Sequence, residues 1–362
     1  MSADEKTVLV MAGGTGGHIF PGLALARALR GRGWRVHWLG NATGMEARLV
    51  PPEGFALETI EFSGVRGKGA LTLMLLPMRL LRGFWQSIRV LRRVRPDLVV
   101  GMGGYIAFPA GMMAVLLGKP LLLHEQNSVA GLVNRVLAGV ADRVMTAFPG
   151  VLPKAQCVGN PLRADFLAQG TPATRFAQRS GPLRLLVIGG SLGARSLNEQ
   201  VPRALACLPP AQRPVVTHQG GQAQMESLEA AYAQAGVAAT LVPFIDEAAA
   251  AMAQADLIIC RSGASTVSEI AAVGAAAIFV PFPFAVDDHQ TTNARYLTDS
   301  QGGWLLPQQE LTPERLAKLL AALDRTELKR RAEIAYALRK TSATQDMVLA
   351  CEGLIQTKGV HA

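Results

Sequence analysis

The chain has 362 residues, 49% of them hydrophobic and 6% aromatic, with a formal net charge of +9. That length exceeds one typical core and predicts two α/β domains, each burying its own interior. The four cysteines Cys157, Cys207, Cys260 and Cys351 are scattered without a CxxC pattern, which argues against zinc and a disulfide scaffold, and no aromatic platform interleaves the arginines as a nucleic-acid binder would need.

In chain order, the first apolar strand, Thr7 to Met11, runs into Gly13, Gly14, Thr15, Gly16 and Gly17 and then opens a helix. It is too short for the apolar core of a signal peptide, so export is not expected. Successive glycines at a strand-to-helix turn let backbone N–H groups approach an anion, or merely make the turn tight. No Lys-Ser/Thr follows the glycines, and the second strand, Arg35 to Gly40, ends in Gly40-Asn41 where a dinucleotide site would place an acid. A P-loop NTPase and an NAD dehydrogenase both lose support.

Next comes a basic amphipathic helix. Arg79, Arg82, Gln86, Arg89 and Arg93 fall at helical spacing, Leu76, Leu80, Phe84, Trp85, Ile88 and Leu91 occupy other faces, and Arg66 to Arg95 contains no acid. Arg79, Arg82, Trp85 and Arg89 are the candidate membrane-surface residues, set against a solvated arginine face over ordinary core. The strand Asp97 to Val100 precedes Gly101-Met-Gly-Gly-Tyr105, and Tyr105 to Leu123 reads as a buried helix plus a buried strand rather than a membrane span, being broken by Pro109, Gly118, Lys119 and Pro120. His124-Glu-Gln-Asn127 follows. Through Leu162 there are 18 Lys/Arg against 9 Asp/Glu, and from Arg163 onward 18 against 18, so the whole positive excess lies in the first half. A basic half beside a neutral one predicts contact with an anionic surface or ligand.

Apolar periodicity lapses from Asn160 to Gly181, the expected boundary, and a second start of the same form begins: Leu183 to Ile188 into Gly189, Gly190, Ser191, Leu192 and Gly193. Two such starts predict two doubly wound parallel sheets, with ligands at the carboxyl ends of the strands. The domains are expected at 1–162 and 163–345, with 346–362 a helical tail. After the strand Asp256 to Cys260, the small residues Ser262 to Thr266 lead into a helix carrying Glu269. Thr266-Val-Ser-Glu269 fits a capping box, while the alternative sets the Glu269 carboxylate on a ribose diol with the helix N–H groups on a diphosphate. Asp287-Asp288 reads as loop charge rather than a metal loop, because Gln290 and Asn293 beside it suit ligand contact better.

Gly13-Gly-Thr-Gly-Gly-His18 with Pro21-Gly22, Gly101-Met-Gly-Gly-Tyr105, His124-Glu-Gln-Asn127, Val158-Gly-Asn-Pro161, Gly189-Gly-Ser191 and Arg261-Ser-Gly-Ala264 occur in an order that resembles the MurG family across nearly the whole chain. The resemblance implies a GT-B architecture with two Rossmann-like domains facing a cleft. It further implies inverting transfer of N-acetylglucosamine from UDP-N-acetylglucosamine to an undecaprenyl-diphospho-muramoyl-pentapeptide in peptidoglycan synthesis, with no obligatory cofactor or metal. It implies a peripheral position on the cytoplasmic face of the bacterial inner membrane, an anionic lipid surface as partner, and cell-wall and division proteins nearby.

By matching position, the donor residues would be Thr15, Gly16, Gly17, Asn127, Arg163, Ser191, Ile245, Ala264, Ser265, Thr266, Val267, Ser268, Glu269 and Gln290. Of these, Arg163 and Ser191 would hold phosphate or sugar hydroxyls, Ile245 the uracil, Glu269 the ribose and Gln290 the N-acetylglucosamine. Gly14, His18, Tyr105 and Asn127 would meet the acceptor. His18 is the first candidate for the general base, its ordinary pKa lying near working pH, and Glu125 is the reserve. His124 reads better as a structural partner at a strand end.

Overall fold

The computed structural model describes residues 5–62, 64, 74–190 and 192–359, with side chains through Gln356. The chain divides into two units, one made of residues 1–162 and 342–362 and the other of residues 163–341.

The first unit is built on a seven-stranded sheet in the order β3-β2-β1-β4-β5-β6-β7. Its strands are β1 (Thr7–Met11), β2 (Arg35–Gly40), β3 (Ala56–Thr59), β4 (Leu98–Gly101), β5 (Leu121–Glu125), β6 (Arg143–Thr146) and β7 (Gln156–Cys157). Every pairing is parallel. Strands buried on both faces must be continuously apolar, which is why β1 and β4 read as runs of Val and Leu with no polar alternation. Chain order reverses between β1 and β4, and the crevice beyond their carboxyl ends is where an open α/β sheet receives ligands.

The second unit repeats the plan with six parallel strands in the order β10-β9-β8-β11-β12-β13. They are β8 (Arg184–Ile188), β9 (Val215–Gln219), β10 (Thr240–Val242), β11 (Leu257–Cys260), β12 (Ala277–Phe279) and β13 (Trp304–Leu305). Its switch point lies between β8 and β11.

One device recurs at the amino ends of the strands. Asp97, just before β4, accepts from the N–H of Thr7 at 2.8 Å, and Asp142, before β6, accepts from Leu121 at the same distance. Asp256, before β11, accepts from Arg184, also at 2.8 Å. Each carboxylate satisfies the first N–H of a neighbouring strand that no ladder bond would reach. Asp256 is fully buried and is also paired with Arg179 at 2.9 Å and Arg325 at 3.2 Å.

The helix Ala343–Gly359 does not stand apart as a tail. It packs on the helix Gly16–Gly31, burying Met347, Val348, Ala350 and Cys351 in the core beneath β1 and β4. Arg32 pairs with Glu352 at 3.1 Å across the same contact. The second unit therefore ends at Thr341 rather than at residue 345.

The basic helix spans Leu76–Val94, and Arg66 and Leu71 to Leu73 lie outside the described residues. Gly83 faces Phe62 and Pro109, where a Cβ would stand only 3.2 and 3.4 Å away, so the helix lies close on Ala107–Leu116. Gly83, Ser87, Val90 and Leu91 are buried and Leu80, Phe84 and Ile88 partly so. Trp85 is 56% exposed and shares the outer side with Met78, Leu81 and the arginines. The expected separation of basic and apolar faces is thus incomplete. Arg89 lies over the Trp85 ring at 4.7 Å, and Arg82 pairs with Glu61 at 2.6 Å. No helix among the described residues is long and apolar enough to cross a membrane.

Candidate active site

In the first unit, the carboxyl ends of β1, β4, β5 and β7 bring the sequence motifs together. Gly104 has φ +86°, and a Cβ there would stand 2.5 Å from the Gly13 carbonyl, so the loop after β4 can lie against the loop after β1 only as glycine. A Cβ on Gly103 would meet the His18 imidazole at 2.8 Å. His18, in the first turn of Gly16–Gly31, is half-buried beside these loops.

The imidazole of His18 is the end of a chain of hydrogen bonds. His18 Nδ1 lies 2.9 Å from Gln126 Oε1, Gln126 Nε2 lies 3.1 Å from His124 Nδ1, and His124 Nε2 lies 2.9 Å from the Gly159 carbonyl. His124 and Gln126 are buried. Burial pushes the His124 pKa down to about 4, against the opposing influence of the Gly159 carbonyl and Glu125.

Glu125, the reserve base, has a different setting. Its buried carboxylate accepts from Asn127 N at 2.9 Å and Asn127 Nδ2 at 3.3 Å on Oε1. On Oε2 it accepts from Gly131 N at 3.1 Å and Asn134 Nδ2 at 2.8 Å. Four donors fix the turn that leads into the helix Leu132–Leu137, so both carboxylate oxygens brace that turn. Asn127 is held half-buried by this brace, and Tyr105 is exposed with its ring over Gly64.

Two residues of this region were not expected from the sequence. One is Gln126, described above. The other is Glu46, buried in a short turn after β2, which accepts from Asn41 N at 2.8 Å and Gly14 N at 3.3 Å. The N–H of Gly14 is therefore turned to a carboxylate of the protein itself. Of the first glycine loop, Gly16 and Gly17, in the first helical turn and without intrahelical acceptors, are the better placed to meet an anion beside Thr15. No local signal links Glu46 to a glycine 32 residues away.

In the second unit, the helix Ala264–Val273 begins directly after the loop from β11, with Gly263 as its N-cap and no side-chain cap. Glu269 therefore lies deep in the helix, and the capping-box reading falls. Ser265, Thr266 and Glu269 are half-buried along one side, three and four residues apart, whereas Val267 is fully buried core and Ala264 is 5% exposed. Ser268 donates to the Ala264 carbonyl at 2.9 Å. The Val267 side chain thus lies in the core, and the Ser268 hydroxyl proton is used within its own helix. The first-turn N–H groups lack intrahelical acceptors and carry the positive end of the helix dipole. At the other end, the Arg175 guanidinium clamps the carbonyls of Val273 and Gly274, both at 2.6 Å, fixing the helix.

Burial pushes the Glu269 carboxyl up to about 7, the charge of Arg163 opposing it and that of Asp165 adding to it. Arg163 pairs with Asp165 at 3.3 Å and lies over the Phe166 ring at 5.0 Å. Gln290, half-buried in the helix His289–Thr298, accepts from the Phe282 N–H at 3.0 Å. Asn293 is fully buried and donates to the Ser262 carbonyl at 3.1 Å, so it supports the loop after β11 instead of reaching outward. Ile245 is half-buried in the loop after β10, tied in by Gln219, which donates to the Gly190 and Pro243 carbonyls at 2.9 and 3.2 Å. Ser191 lies outside the described residues. Asp287 and Asp288 both have positive φ, and no group of three or more potential metal ligands occurs among the described residues.

Known proteins of matching sequence and fold agree with one another. The glycosyltransferase family 28 N-terminal domain matches residues 8–146, and the C-terminal domain of that family matches residues 184–348. A UDP-N-acetylglucosamine--N-acetylmuramyl-(pentapeptide) pyrophosphoryl-undecaprenol N-acetylglucosamine transferase of Polaromonas sp. strain JS666 is 68% identical, over 98% of this chain and 92% of its own. A protein of the same name from Paracidovorax citrulli is 66% identical, over 96% and 98%. Among solved structures, Acinetobacter baumannii MurG is 41% identical with a TM-score of 0.84, over 97% of this chain and 99% of that one. The calicheamicin glycosyltransferase CalG4, 15% identical at a TM-score of 0.69 over 98% of this chain and 99% of that one, shares the fold. The two parallel-sheet units are those of a GT-B glycosyltransferase.

Proposed function

The chain belongs to glycosyltransferase family 28, within its MurG branch, and we propose that it moves N-acetylglucosamine from UDP-N-acetylglucosamine to the C4 hydroxyl of undecaprenyl-diphospho-N-acetylmuramoyl-pentapeptide, with inversion. The observation that carries this reading is the 68% identity over 98% of the chain to a relative of that name. The roles proposed for individual residues follow the family resemblance and are compatible with the local geometry.

The acceptor hydroxyl attacks the anomeric carbon of the donor while the bond from that carbon to the diphosphate oxygen breaks, and UDP departs with the electron pair. His18 takes the hydroxyl proton on Nε2, its Nδ1 being engaged by Gln126. Gly14, Tyr105 and Asn127 border the acceptor. On the donor, Arg163, Ser191 and the N–H groups at Ala264 to Thr266 are assigned to the diphosphate, whose charge grows as it leaves. Glu269 accepts from the ribose hydroxyls, Ile245 lies by the uracil, and Gln290 donates to hydroxyls of the sugar. The first unit takes the acceptor and the second, residues 163–341, the donor. Arg79, Arg82, Trp85 and Arg89 dock the first unit on anionic lipid at the cytoplasmic face of the inner membrane, among cell-wall and division proteins.

The test is transfer of radiolabelled N-acetylglucosamine from its UDP donor to a short-chain polyprenyl-diphospho-muramoyl-pentapeptide, with metal chelated throughout. Product of inverted linkage is expected. Donor binding without product would overturn the acceptor assignment, and product only on adding metal would overturn the metal-free step.

A further inference from the structure

Gln126 and His124 belong to none of the contacts proposed for donor or acceptor, yet they are buried at the carboxyl end of β5, directly behind His18. Three hydrogen bonds join four groups in series: the Gly159 carbonyl, His124, the Gln126 side chain and His18. A neutral imidazole carries its proton on one nitrogen only, and the other must accept. We propose that Gly159, His124 and Gln126 form a relay of positioning groups that fixes His18 as its Nδ1–H tautomer, so that Nε2 presents a lone pair to the acceptor hydroxyl.

The proton positions follow outward from Gly159. A carbonyl oxygen can only accept, so the His124 nitrogen 2.9 Å from it, Nε2, carries the proton. His124 is fully buried and held neutral, so its Nδ1 is a bare acceptor. The group 3.1 Å from that nitrogen must donate, which turns the NH2 of the Gln126 amide toward His124 and its oxygen toward His18. An amide oxygen accepts only, so His18 Nδ1 carries the proton across the remaining 2.9 Å. Reversing the amide would require His124 to donate from both nitrogens, which means a cation in a site without exposure to water. One backbone carbonyl thereby sets a tautomer three bonds away.

The relay has a purpose because the neutral imidazole in water favours the other tautomer, Nε2–H, which is useless as a base at that nitrogen. Gly159 has φ +95°, and this turn, in the Val158-Gly-Asn-Pro161 motif, delivers the carbonyl that starts the relay. Serine proteases use a carboxylate for the same orienting task, and losing it there is costly because the wrong tautomer results. An amide does it here without adding charge beside the departing diphosphate.

The relay's catalytic value rests on His18 being the base, and the test separates the two ideas. Nitrogen NMR of the full-length protein labelled with 15N-histidine, at pH 8, reads the tautomer of His18 directly, its signals assigned by their loss in His18→Ala. The wild type is expected to show a protonated Nδ1 and a bare Nε2. Gln126→Leu, checked for folding by thermal melting, is expected to move His18 toward Nε2–H. It should lower kcat roughly 10- to 100-fold, less than or at the lower end of the about 10²–10⁴ contributed by a general base, with the donor KM unchanged. In a His18→Ala background the same substitution should change kcat no further. A wild-type His18 in the Nε2–H form overturns the relay. So does a Gln126→Leu protein whose His18 tautomer is unaltered. If the tautomer responds but His18→Ala turns over normally, the relay stands and the assignment of the base falls.

Discussion

Gln290 accepts a hydrogen bond from the backbone N–H of Phe282 at 3.0 Å, and this single contact decides which end of its amide is spent. With the oxygen used, the NH2 group is the end proposed to reach the sugar. Gln290→Glu keeps an acceptor for Phe282 and removes the donors. The KM for UDP-N-acetylglucosamine should rise about 5- to 30-fold, equivalent to the about 1–2 kcal/mol of a hydrogen bond lost, with the melting temperature nearly unchanged. Steady-state kinetics with varied donor checks it, and an unaltered KM would remove Gln290 from the sugar site.

The proposed contact of Glu269 with the ribose would couple donor binding to pH. Burial raises its carboxyl from the ordinary 4.5 to about 7. A group whose folded pKa is raised contributes stability that is whole below the unfolded value and is lost as pH rises through the folded one, so the free protein weakens between about pH 4.5 and 7. A ribose diol prefers the ionised carboxylate, so donor affinity has the opposite slope and improves as pH rises through about 7. The donor KM should fall several-fold from pH 6 to pH 8, and Glu269→Gln should hold it high and flat across that range. A profile that is unchanged in the variant would show that another group titrates.

Glu125 separates a brace from a base. Gln in its place points an NH2 group at donors that it cannot accept from, at a cost of about 2–3 kcal/mol and a fall in melting temperature of roughly 5–10 °C. Turnover at low temperature should stay within several-fold of the parent. A loss of 100-fold or more in kcat with a normal melting temperature would restore Glu125 as a catalytic group.

On the membrane side, Trp85→Ala combined with Arg82→Gln and Arg89→Gln should reduce co-sedimentation with phosphatidylglycerol vesicles at least tenfold, since each basic side chain near an anionic leaflet contributes about 1 kcal/mol. Binding of the parent should weaken from 50 to 300 mM salt through screening. Donor KM measured with a soluble acceptor should not change. Equal binding by the variant would place the lipid contact elsewhere on the protein.

The strands and their glycine loops were readable because a doubly buried parallel strand has to be an apolar run and the tight turn after it has to be glycine. Leu98–Gly101 falls within a residue of the span Asp97 to Val100 expected for it. Spacing rules worked less well where three-dimensional context chose the frame. The helix starts at Ala264 rather than after Thr266, because Gly263, which has no side chain with which to cap, turns the chain there, and Glu269 is thereby moved out of capping range. Gln126 and Glu46 were invisible for a related reason. Their partners lie 108 and 32 residues away in the chain, and nothing in a local pattern records such a pairing. The outer side of Leu76–Val94 was half legible: its arginines were, but the exposure of Met78 and Leu81 beside them depends on which residues Gly83 allows inward.

The return of Ala343–Gly359 to the first unit has a consequence for synthesis. Met347, Val348 and Cys351 complete a core whose other members, such as Val8, Leu25 and Trp38, leave the ribosome more than three hundred residues earlier. The second unit, contiguous from Arg163 to Thr341, can close while the first still waits for its last helix. Until then the apolar residues of Gly16–Gly31 lack the cover that Met347, Val348 and Cys351 give them, so the half with the later sequence can be finished before the half with the earlier sequence.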